Sequence, residues 1–486
     1  MKQVFNPYLP LNEYIPDGEP HVFGGRVYVY GSHDKENGEH FCMLDYVTYS
    51  APIDNLKDWT YEGIIYKASN DPLYPEYKYM FAPDVVRGND GRYYLYYSLA
   101  NDYPNCSYVL SVAVCDTPCG EFEFLGHVKN KDGTLLNDGV IFDPAVLNDN
   151  GTIRLYYGMW WNFERDFCEK ESIEKQVATF KKSKEEILAS TNGVMGPFVV
   201  TLDSDMITAK DTPKRIFPRD FSATDFEGHE FFEASSMRKV GDKYYFIYST
   251  FQGHELAYAI SDYPDRDFKF GGVIVSNGDI GYKGRKYEDM VMRIGNNHGS
   301  IEYINGNWYI FYHRHTTKTE LSRQGCAEKI EILENGFIPQ VEITSCGLNG
   351  GPLLASGSYP SVICCHLSNG KLTYGYCADK RVPHIICENN ERFIKEVENN
   401  TVIGYKYFDF KGKTKIGVTY RTGDITPCGK LYVTTKENVT PLCYLEINDS
   451  KEWTTTLAEI CLYGKEALYF RYEGSGDIDI LEISFR

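Results

Sequence analysis

The sequence predicts an all-β protein: a five-bladed β-propeller over residues 1–340, followed by a C-terminal β-sandwich over residues 350–486. Aromatic residues make up 15% of the chain, and alternating stretches such as RVYVYGS and KYYFIYS favour strands over helices. One glycine-led strand pattern recurs five times before residue 340. After it, a different run of short alternating segments begins. These observations predict two successive β-domains of different architecture.

The repeat is a turn glycine followed by an aromatic-rich alternating strand. Its copies begin at Gly25, Gly91, Gly151, Gly241 and Gly306, at intervals of 66, 60, 90 and 65 residues. The long interval contains an insertion at roughly 161–200, whose charged stretch predicts one short helix. Five hairpin-rich units indicate radial repetition of small antiparallel sheets. Five hairpins in a sandwich are the alternative, but that fold does not require so regular a period.

Four of the five repeats carry an acid–base residue eight positions before the glycine. These residues are Asp17, Asp143, Glu233 and His298, whereas the second repeat has Pro83. In a propeller the innermost strand of each blade faces the central channel, so equivalent positions form a ring. Carboxylates in turns are usually structural, because Asp bonds its own backbone there. Unrelated turn residues would not keep this register, so we predict a functional ring.

Three converging carboxylates indicate acid–base chemistry. Burial and like charges raise the pKa of at least one carboxyl, so an acid and an ionised base coexist near pH 7. Glycoside cleavage needs this pair, one group to protonate the leaving oxygen and one to activate water. Glu233, among the aromatic and small residues of FFEASSM, is the better acid, and Asp17, in the polar turn PDGEP, is the better base. Asp143 would tune Glu233 or orient hydroxyls, although the residues alone do not separate Asp17 from Asp143.

Composition and charge exclude several partners. The formal net charge of −18 and pI near 5.1 argue against nucleic acid, because phosphate binding needs a basic surface. An acidic surface suits a neutral oligosaccharide substrate. No apolar run approaches the length that spans a bilayer, and the N-terminus lacks the apolar segment of a secretory signal. We therefore expect a cytoplasmic protein with reduced thiols among its 14 cysteines. No pattern predicts an oligomeric state.

The first 335 residues resemble glycoside hydrolase family 43. The resemblance depends on the segments NPYLP, PDGEPHVFGGRVYVYGSHD, FAPDVV, IFDPAVL, FFEASS, NHGSIEYINGNWYIFYH and SRQGCAE. It implies a five-bladed propeller that cleaves arabinofuranosides and xylosides with inversion. It also implies that Asp17 is the general base, Glu233 the general acid, and Asp143 the residue that tunes the pKa of the acid.

Two departures from the family pattern bear on these assignments. Gly18 stands where many members have Pro, and Glu19 immediately precedes the first downstream Pro, which makes Glu19 a rival base. Glu19 breaks the eight-residue register, so Asp17 is preferred. Glu233 is followed by Ala-Ser, whereas members often have Gly-Pro. This second departure affects the leaving-group side of the site.

The resemblance implies further contacts. His298 in NHGS resembles the axial histidine of the family, which often contacts a central calcium or water. His298 is therefore either a ligand of a structural calcium at the axis or a satisfied structural residue, and the chemistry requires no cofactor. Arg323 in SRQGCAE resembles an arginine that reaches the sugar. Apart from the resemblance, Trp160 and Trp161 are candidates for a stacking wall against a sugar ring, with one of the two expected in the core, and Phe81 is another wall candidate. His298 is also expected to contact the substrate.

The C-terminal region begins with a Gly/Ser/Pro-rich segment, SCGLNGGPLLASGSYPSV, which is typical of a linker. Alternating runs such as KYFDFKG, KLYVTT and IDILEISF then predict a sandwich. This part resembles the family 6 carbohydrate-binding modules. It would either bind sugar or buttress the propeller and cover one edge of its pocket. The lack of an obvious paired aromatic platform favours the second.

We therefore expect an exo-acting inverting hydrolase that releases terminal α-L-arabinofuranose or β-D-xylose from plant-derived oligosaccharides. The missing secretory signal favours short imported substrates. A β-xylosidase or endo-arabinanase of the same fold is an alternative. So is the related fructan-cleaving class, whose Arg-Asp-Pro and Glu-Cys motifs are absent here. A propeller that binds sugar without catalysis is disfavoured, because unpaired buried acids are costly to keep without use.

Overall fold

The structure is a computed structural model that describes residues 2–101, 108–136, 140–160, 195–375, 380–437 and 440–486, with positions 174, 177, 178 and 183–185. Trp161 and most of the predicted insertion lie outside the described residues. Positions 174, 177, 178, 184 and 185 of the insertion are helical. Within the described ranges, no helix is long and apolar enough to cross a membrane.

The first part of the chain forms five antiparallel sheets, each following the last along the chain. Blade one contains β1 (Glu19–Phe23), β2 (Arg26–Tyr30), β3 (Tyr46–Pro52) and β4 (Thr60–Tyr66). Blade two contains β5 (Tyr79–Arg87), β6 (Tyr93–Ala100), β7 (Tyr108–Cys115) and β8 (Glu123–His127). Blade three contains β9 (Ala145–Asp149), β10 (Thr152–Met159), β11 (Gly196–Thr201) and β12 (Lys214–Arg215). Blade four contains β13 (Phe231–Val240), β14 (Lys243–Thr250), β15 (Glu255–Ser261) and β16 (Lys269–Ser276). Blade five contains β17 (Ile301–Ile304), β18 (Asn307–His315) and β19 (Arg323–Ile330).

These sheets confirm the predicted five-bladed propeller. Each repeat glycine lies in the hairpin between the first and second strands of a blade, at φ of 83°, 87°, 90°, 59° and 88° in chain order. This left-handed backbone favours glycine, which explains why the repeat begins with one. The glycine spacing therefore located both the blades and the start of each innermost strand.

The N-terminal segment lies along the outer strand of blade five. The Tyr8 amide donates to the Gly325 carbonyl at 3.3 Å. The Asn6 side chain donates to the Ala327 carbonyl at 3.1 Å and accepts from the Ala327 amide at 3.0 Å. Because blade five has three described strands, this segment satisfies backbone groups that would otherwise lie at an open edge.

Tyrosine dominates the propeller core. Among the described residues, the largest fully buried side chains are all Tyr, and most of them lie in the propeller. Their hydroxyls are paired: Tyr97 donates to Asp71 Oδ2 at 2.7 Å, and Tyr156 donates to the Pro264 carbonyl at 2.9 Å. Such pairing offsets the cost of burying the hydroxyl while the ring fills the space between blades. The described cysteines are all free thiols.

The C-terminal domain is built around one large sheet, in agreement with the predicted sandwich. Seven main strands form its principal path, in the order β23, β24, β29, β25, β28, β26, β27, and three short strands pair with β25 and β29. The short strands are β20 (Leu353–Leu354), β21 (Gly357–Pro360) and β22 (His366–Ser368). The main strands are β23 (His384–Glu388), β24 (Glu391–Glu398), β25 (Val402–Thr422), β26 (Cys428–Thr434), β27 (Cys443–Ile447), β28 (Thr454–Ser475) and β29 (Asp477–Phe485). Short 3₁₀ helices of the chain are Ala68–Asn70, Tyr282–Gly284, Tyr287–Asp289, Gly347–Asn349 and Ser361–Ile363.

The two parts share one hydrophobic core. A single buried cluster includes Tyr258 and Ile310 of blades four and five together with Phe408 and Phe470 of the C-terminal sheet. Polar bonds cross the same boundary, since Arg314 donates to the Cys364 and Val362 carbonyls. The C-terminal domain is thus fixed against the propeller rather than tethered to it.

Candidate active site

The predicted ring residues lie at the same end of four innermost strands. Asp17, Asp143 and His298 precede β1, β9 and β17, and Glu233 lies near the start of β13. All four side chains are buried. Asp17 and Asp143 have φ of 57° and 45°, a backbone region that non-glycine residues adopt rarely and that concentrates at functional sites.

Asp17 is held ionised by a buried cation. Its Oδ1 accepts a hydrogen bond from Arg323 Nη1 at 2.9 Å and lies 3.3 Å from His313 Nδ1. Burial by itself raises the pKa of Asp17, but Arg323 and then His313 outweigh burial and hold that pKa well below its usual range. A carboxylate that stays ionised in a buried site can serve as a base at neutral pH.

Arg323 is fixed by a second carboxylate. Its Nε and Nη2 donate to the two oxygens of Asp34 at 2.8 and 3.0 Å. The guanidinium also lies over the Phe41 ring, 4.7 Å from the centroid. This two-pronged pairing orients the remaining nitrogen, Nη1, toward Asp17. A direct contact of Arg323 with sugar stays a prediction, whereas its hold on Asp17 follows from the geometry.

The pKa of Glu233 is shifted in the direction opposite to that of Asp17. The pairing of β13 with β14 shifts register on both sides of Glu233, and Ala234 has φ of 67°. Bulges of this kind re-aim a side chain from its place in the ladder. Burial raises the pKa of Glu233 to about 8, and the negative charge of Asp17 acts in the same direction. Glu233 therefore retains a proton at neutral pH and can donate it.

Asp143 is joined to the backbone that carries Glu233. Its Oδ2 accepts the Ala234 amide at 2.9 Å. Burial, then the charges of Glu233 and Asp17, raise the pKa of Asp143 well above its usual range. Asp17 and Asp143, which the residues alone did not separate, thus differ in the direction of their pKa shifts. Asp143 is suited to position and tune Glu233, and Asp17 is suited to be the base.

His298 offers a neutral ring nitrogen at the axis rather than an oxygen ligand. Burial lowers the pKa of His298 to about 4, so the ring is neutral. The nearby carboxylate oxygen is Asp143 Oδ2, 3.6 Å from Nδ1, and it already accepts the Ala234 amide. Calcium prefers roughly six to eight oxygen ligands. A structural calcium at the propeller axis stays a prediction.

Glu19 belongs to a separate polar cluster further along the channel. Ligand atoms of Glu19, His21 and Asp84 lie within 4.8 Å of one another. Arg238 Nη2 donates to Glu19 Oε2 at 2.9 Å, while Glu19 Oε1 is buried without a hydrogen-bond partner. Burial raises the pKa of Glu19 to about 8, so the group holds its proton near neutral pH. This protonation makes Glu19 a poorer base than Asp17.

The predicted aromatic walls lie beside the ring. Phe81 is half-buried and packs 5.2 Å from Phe142, next to Asp143 in sequence. Trp160 packs edge-on to Phe221 at 5.2 Å, and its amide donates to the Phe232 carbonyl at 2.8 Å. Both residues therefore flank segments that carry ring carboxylates. Their contact with sugar stays a prediction.

Sequence reasoning missed Asp34, His313, Asn296 and Glu320. His313 ends the fifth repeat copy, where the other copies end in Ser or Gly, and that difference was a readable signal. Asp34 ends the segment GSHD, but no other repeat has an acidic residue at the equivalent position. From the loops around blade five, Asn296 lowers the pKa of Glu233 and Glu320 raises it. No spacing pattern identifies these two residues.

One end of this five-bladed propeller holds buried carboxyl groups whose pKa values are shifted in opposite directions. A glycoside hydrolase needs such a pair, one group as acid and one as base. The family model of Glycosyl hydrolases family 43 matches residues 24–338. The chain belongs to this family and is a glycoside hydrolase.

Relatives extend the match over the whole chain. A xylosidase/arabinosidase of Thermoclostridium stercorarium is 46% identical over 99% of this chain and 98% of its own length. The GH43_1 enzyme from Xanthomonas citri complexed with xylose is 25% identical, with a TM-score of 0.53, over 70% of this chain and 93% of its own. An arabinoxylan arabinofuranohydrolase from Bacillus subtilis, 18% identical with a TM-score of 0.51, covers 99% of this chain and 97% of its own. This last likeness shows that the two-part fold recurs.

Proposed function

We propose that the protein is an exo-acting, inverting hydrolase that releases terminal α-L-arabinofuranose or β-D-xylose from plant-derived oligosaccharides. The observation that carries the proposal is the split in proton affinity between Asp17 and Glu233 within one buried ring. The names of the relatives support the choice of pentose, since xylosidase/arabinosidase recurs among them.

In the proposed reaction, Glu233 donates its proton to the glycosidic oxygen as the bond to the anomeric carbon breaks. Asp17 accepts a proton from the water that attacks this carbon from the opposite face. One displacement without a covalent intermediate inverts the configuration. Arg323 keeps Asp17 ionised, and Asp143 fixes the backbone beside Glu233 by accepting the Ala234 amide.

The test compares wild type with Asp17→Asn on an aryl α-L-arabinofuranoside and an aryl β-D-xyloside. We expect the wild type to cleave at least one, with the arabinoside preferred, and the variant to lose roughly a thousandfold in kcat. The activated leaving group reduces the need for Glu233, so this comparison isolates the base. NMR of the first product formed should show the inverted anomer.

Asp58→Asn is the matched control, because Asp58 is an exposed carboxylate of the same blade. It should retain full activity. A folded Asp17→Asn enzyme with near-normal activity would reject Asp17 as the base, and Glu19→Gln would then be the next variant. A retained anomer would contradict the single-displacement mechanism. No cleavage of either substrate by the wild type would reject the assigned sugars.

A further inference from the structure

One tyrosine of the C-terminal domain reaches the rim of the active site. The segment containing Tyr374 and Gly375 pairs with Ile294, and the Gly375 amide donates to the Ile294 carbonyl at 2.9 Å. Ile294 belongs to the connection between blades four and five that leads into His298. The C-terminal domain is therefore bonded to the very segment that delivers a ring residue.

Tyr374 rests on the blade that carries the acid. A Cβ atom placed on Gly253 would lie 2.4 Å from Tyr374 Cε2 and 2.5 Å from its hydroxyl oxygen. Gly253 has φ of 81° and lies between β14 and β15. Strand β14 pairs with β13 so that Ser249 stands opposite Glu233. Only a glycine allows the phenol to approach this turn so closely.

Two carboxyl groups of the site, those of Glu320 and Glu233, act on the phenol. Burial, followed by the charges of Glu320 and Glu233, raises the pKa of Tyr374 above its usual range. The hydroxyl is therefore a neutral hydrogen-bond donor. Although the ring is packed on Gly253, 41% of the Tyr374 surface remains exposed. An aromatic ring that is both fixed by the fold and open beside an acid is available to a ligand.

We propose that Tyr374 forms part of the subsite that binds the leaving sugar of the substrate. This inference rests on the proposed function. The acid must reach the glycosidic oxygen, so a group beside the acid at the pocket rim faces the leaving portion of the substrate. The ring offers an apolar face to a pyranose or furanose, and the hydroxyl offers a donor. The C-terminal domain then completes the active site instead of binding sugar independently.

The experiment compares two substrates that share the released pentose and differ in the leaving group. One is the glycosyl fluoride of the pentose that the wild type releases, and the other is its disaccharide. The fluoride has no leaving sugar, so it does not use the proposed subsite. We expect Tyr374→Ala to lower kcat/KM for the disaccharide by about tenfold and for the fluoride by less than about threefold.

Two further variants and one control separate recognition from packing. Tyr374→Phe keeps the ring and should retain most disaccharide activity. Tyr374→Leu fills the space over Gly253 without an aromatic face, so it should behave like Tyr374→Ala even if the alanine variant is unstable. Tyr463→Ala is the control, because Tyr463 is 72% exposed in β28 of the same domain. It should leave both values unchanged.

The outcomes are distinguishable from failure of the proposed function. If the wild type cleaves neither substrate, the proposed function is rejected, and the subsite that rests on it is rejected as well. If the wild type is active and Tyr374→Leu loses both activities equally, Tyr374 acts through structure and the subsite is rejected. Unchanged disaccharide activity in Tyr374→Leu and Tyr374→Ala overturns the inference as well.

Discussion

Asp17 and Glu233 are both buried acids, yet they differ in proton affinity because of their partners. Asp17 has the Arg323 guanidinium at 2.9 Å, whereas Glu233 has burial and the negative charges of Asp17 and Glu320. An inverting enzyme is active only while the base is ionised and the acid is protonated. With the proposed roles of Asp17 and Glu233, the pH range of activity is set by Arg323 on the acid side and by the burial of Glu233 on the alkaline side.

An ionised Asp17 beside a protonated Glu233 predicts the pH profile of kcat/KM and its change in Arg323→Met. In the wild type, activity should fall above about pH 8, where Glu233 loses its proton, and should persist well below the ordinary pKa of Asp. Removing the guanidinium favours the protonated form of Asp17. The acidic limb should therefore move upward by about one pH unit or more. The alkaline limb should also move upward, because the charge of Arg323 lowers the pKa of Glu233. The measurement is kcat/KM against pH on the aryl glycoside.

Arg92→Met is a suitable control, because Arg92 is an exposed residue of blade two that pairs with Asp90. Its profile should match the wild type. An unmoved acidic limb in Arg323→Met, with the protein folded, would show that Arg323 does not set the protonation of the base.

The ring residues were predictable, but their partners were not. Asp17, Asp143, Glu233 and His298 follow from a local rule, the distance to the next repeat glycine. The clamp on Asp17 joins Arg323 and Asp34, which lie 289 positions apart in sequence. Such pairs form because the propeller closes its last blade on its first, and no local pattern records this geometry.

At the scale of elements, closure depends on the N-terminal segment beside β19. The buried amide of Asn6 donates to the Ala327 and Thr344 carbonyls and to Glu328 Oε1, and its oxygen accepts the Ala327 amide. One side chain thus serves backbone groups of two segments more than 300 residues away. The motif NPYLP, which contributed to the family resemblance, therefore has a structural role at the point of closure.

Asn6→Ala should destabilise the protein by at least about 2 kcal/mol, because it leaves several buried polar groups without partners. The measurement is the midpoint of denaturant unfolding, with the slope of the transition compared between variants. Asn70→Ala is the matched control, since Asn70 is exposed at the surface of the propeller. A midpoint for Asn6→Ala equal to that of Asn70→Ala would show that closure does not depend on these bonds.

Element types were easier to predict than element partners. Aromatic alternation and turn glycines predicted the innermost hairpins because both signals act within about ten residues. The docking of the C-terminal domain was only one of two alternatives, because it depends on matching surfaces such as Tyr258 with Phe408. The position of Tyr374 followed from that docking and had no signal of its own.

At the scale of the whole molecule, a buried ion pair fixes one domain to the other. Lys406 Nζ of β25 lies 3.0 Å from Asp279 Oδ2, in the segment after β16, and both side chains are 1% exposed. Glu342 lies 3.1 Å from the same nitrogen. Removing one member of such a pair leaves an uncompensated charge, which costs more than the pair contributes. Because docking also places Tyr374, the pair is expected to support activity on oligosaccharides.

Lys406→Met should therefore destabilise the protein by about 3 kcal/mol, and Asp279→Asn in the same chain should restore part of the loss. Lys413→Met is the control, because Lys413 pairs with Glu459 in an exposed ion pair whose loss is nearly neutral. Unfolding midpoints measure stability, and kcat/KM for the disaccharide and the fluoride measures the active site.

If docking positions Tyr374, Lys406→Met should lower disaccharide activity more than fluoride activity. Equal stability of Lys406→Met and Lys413→Met would instead show that the shared apolar core alone holds the two domains together.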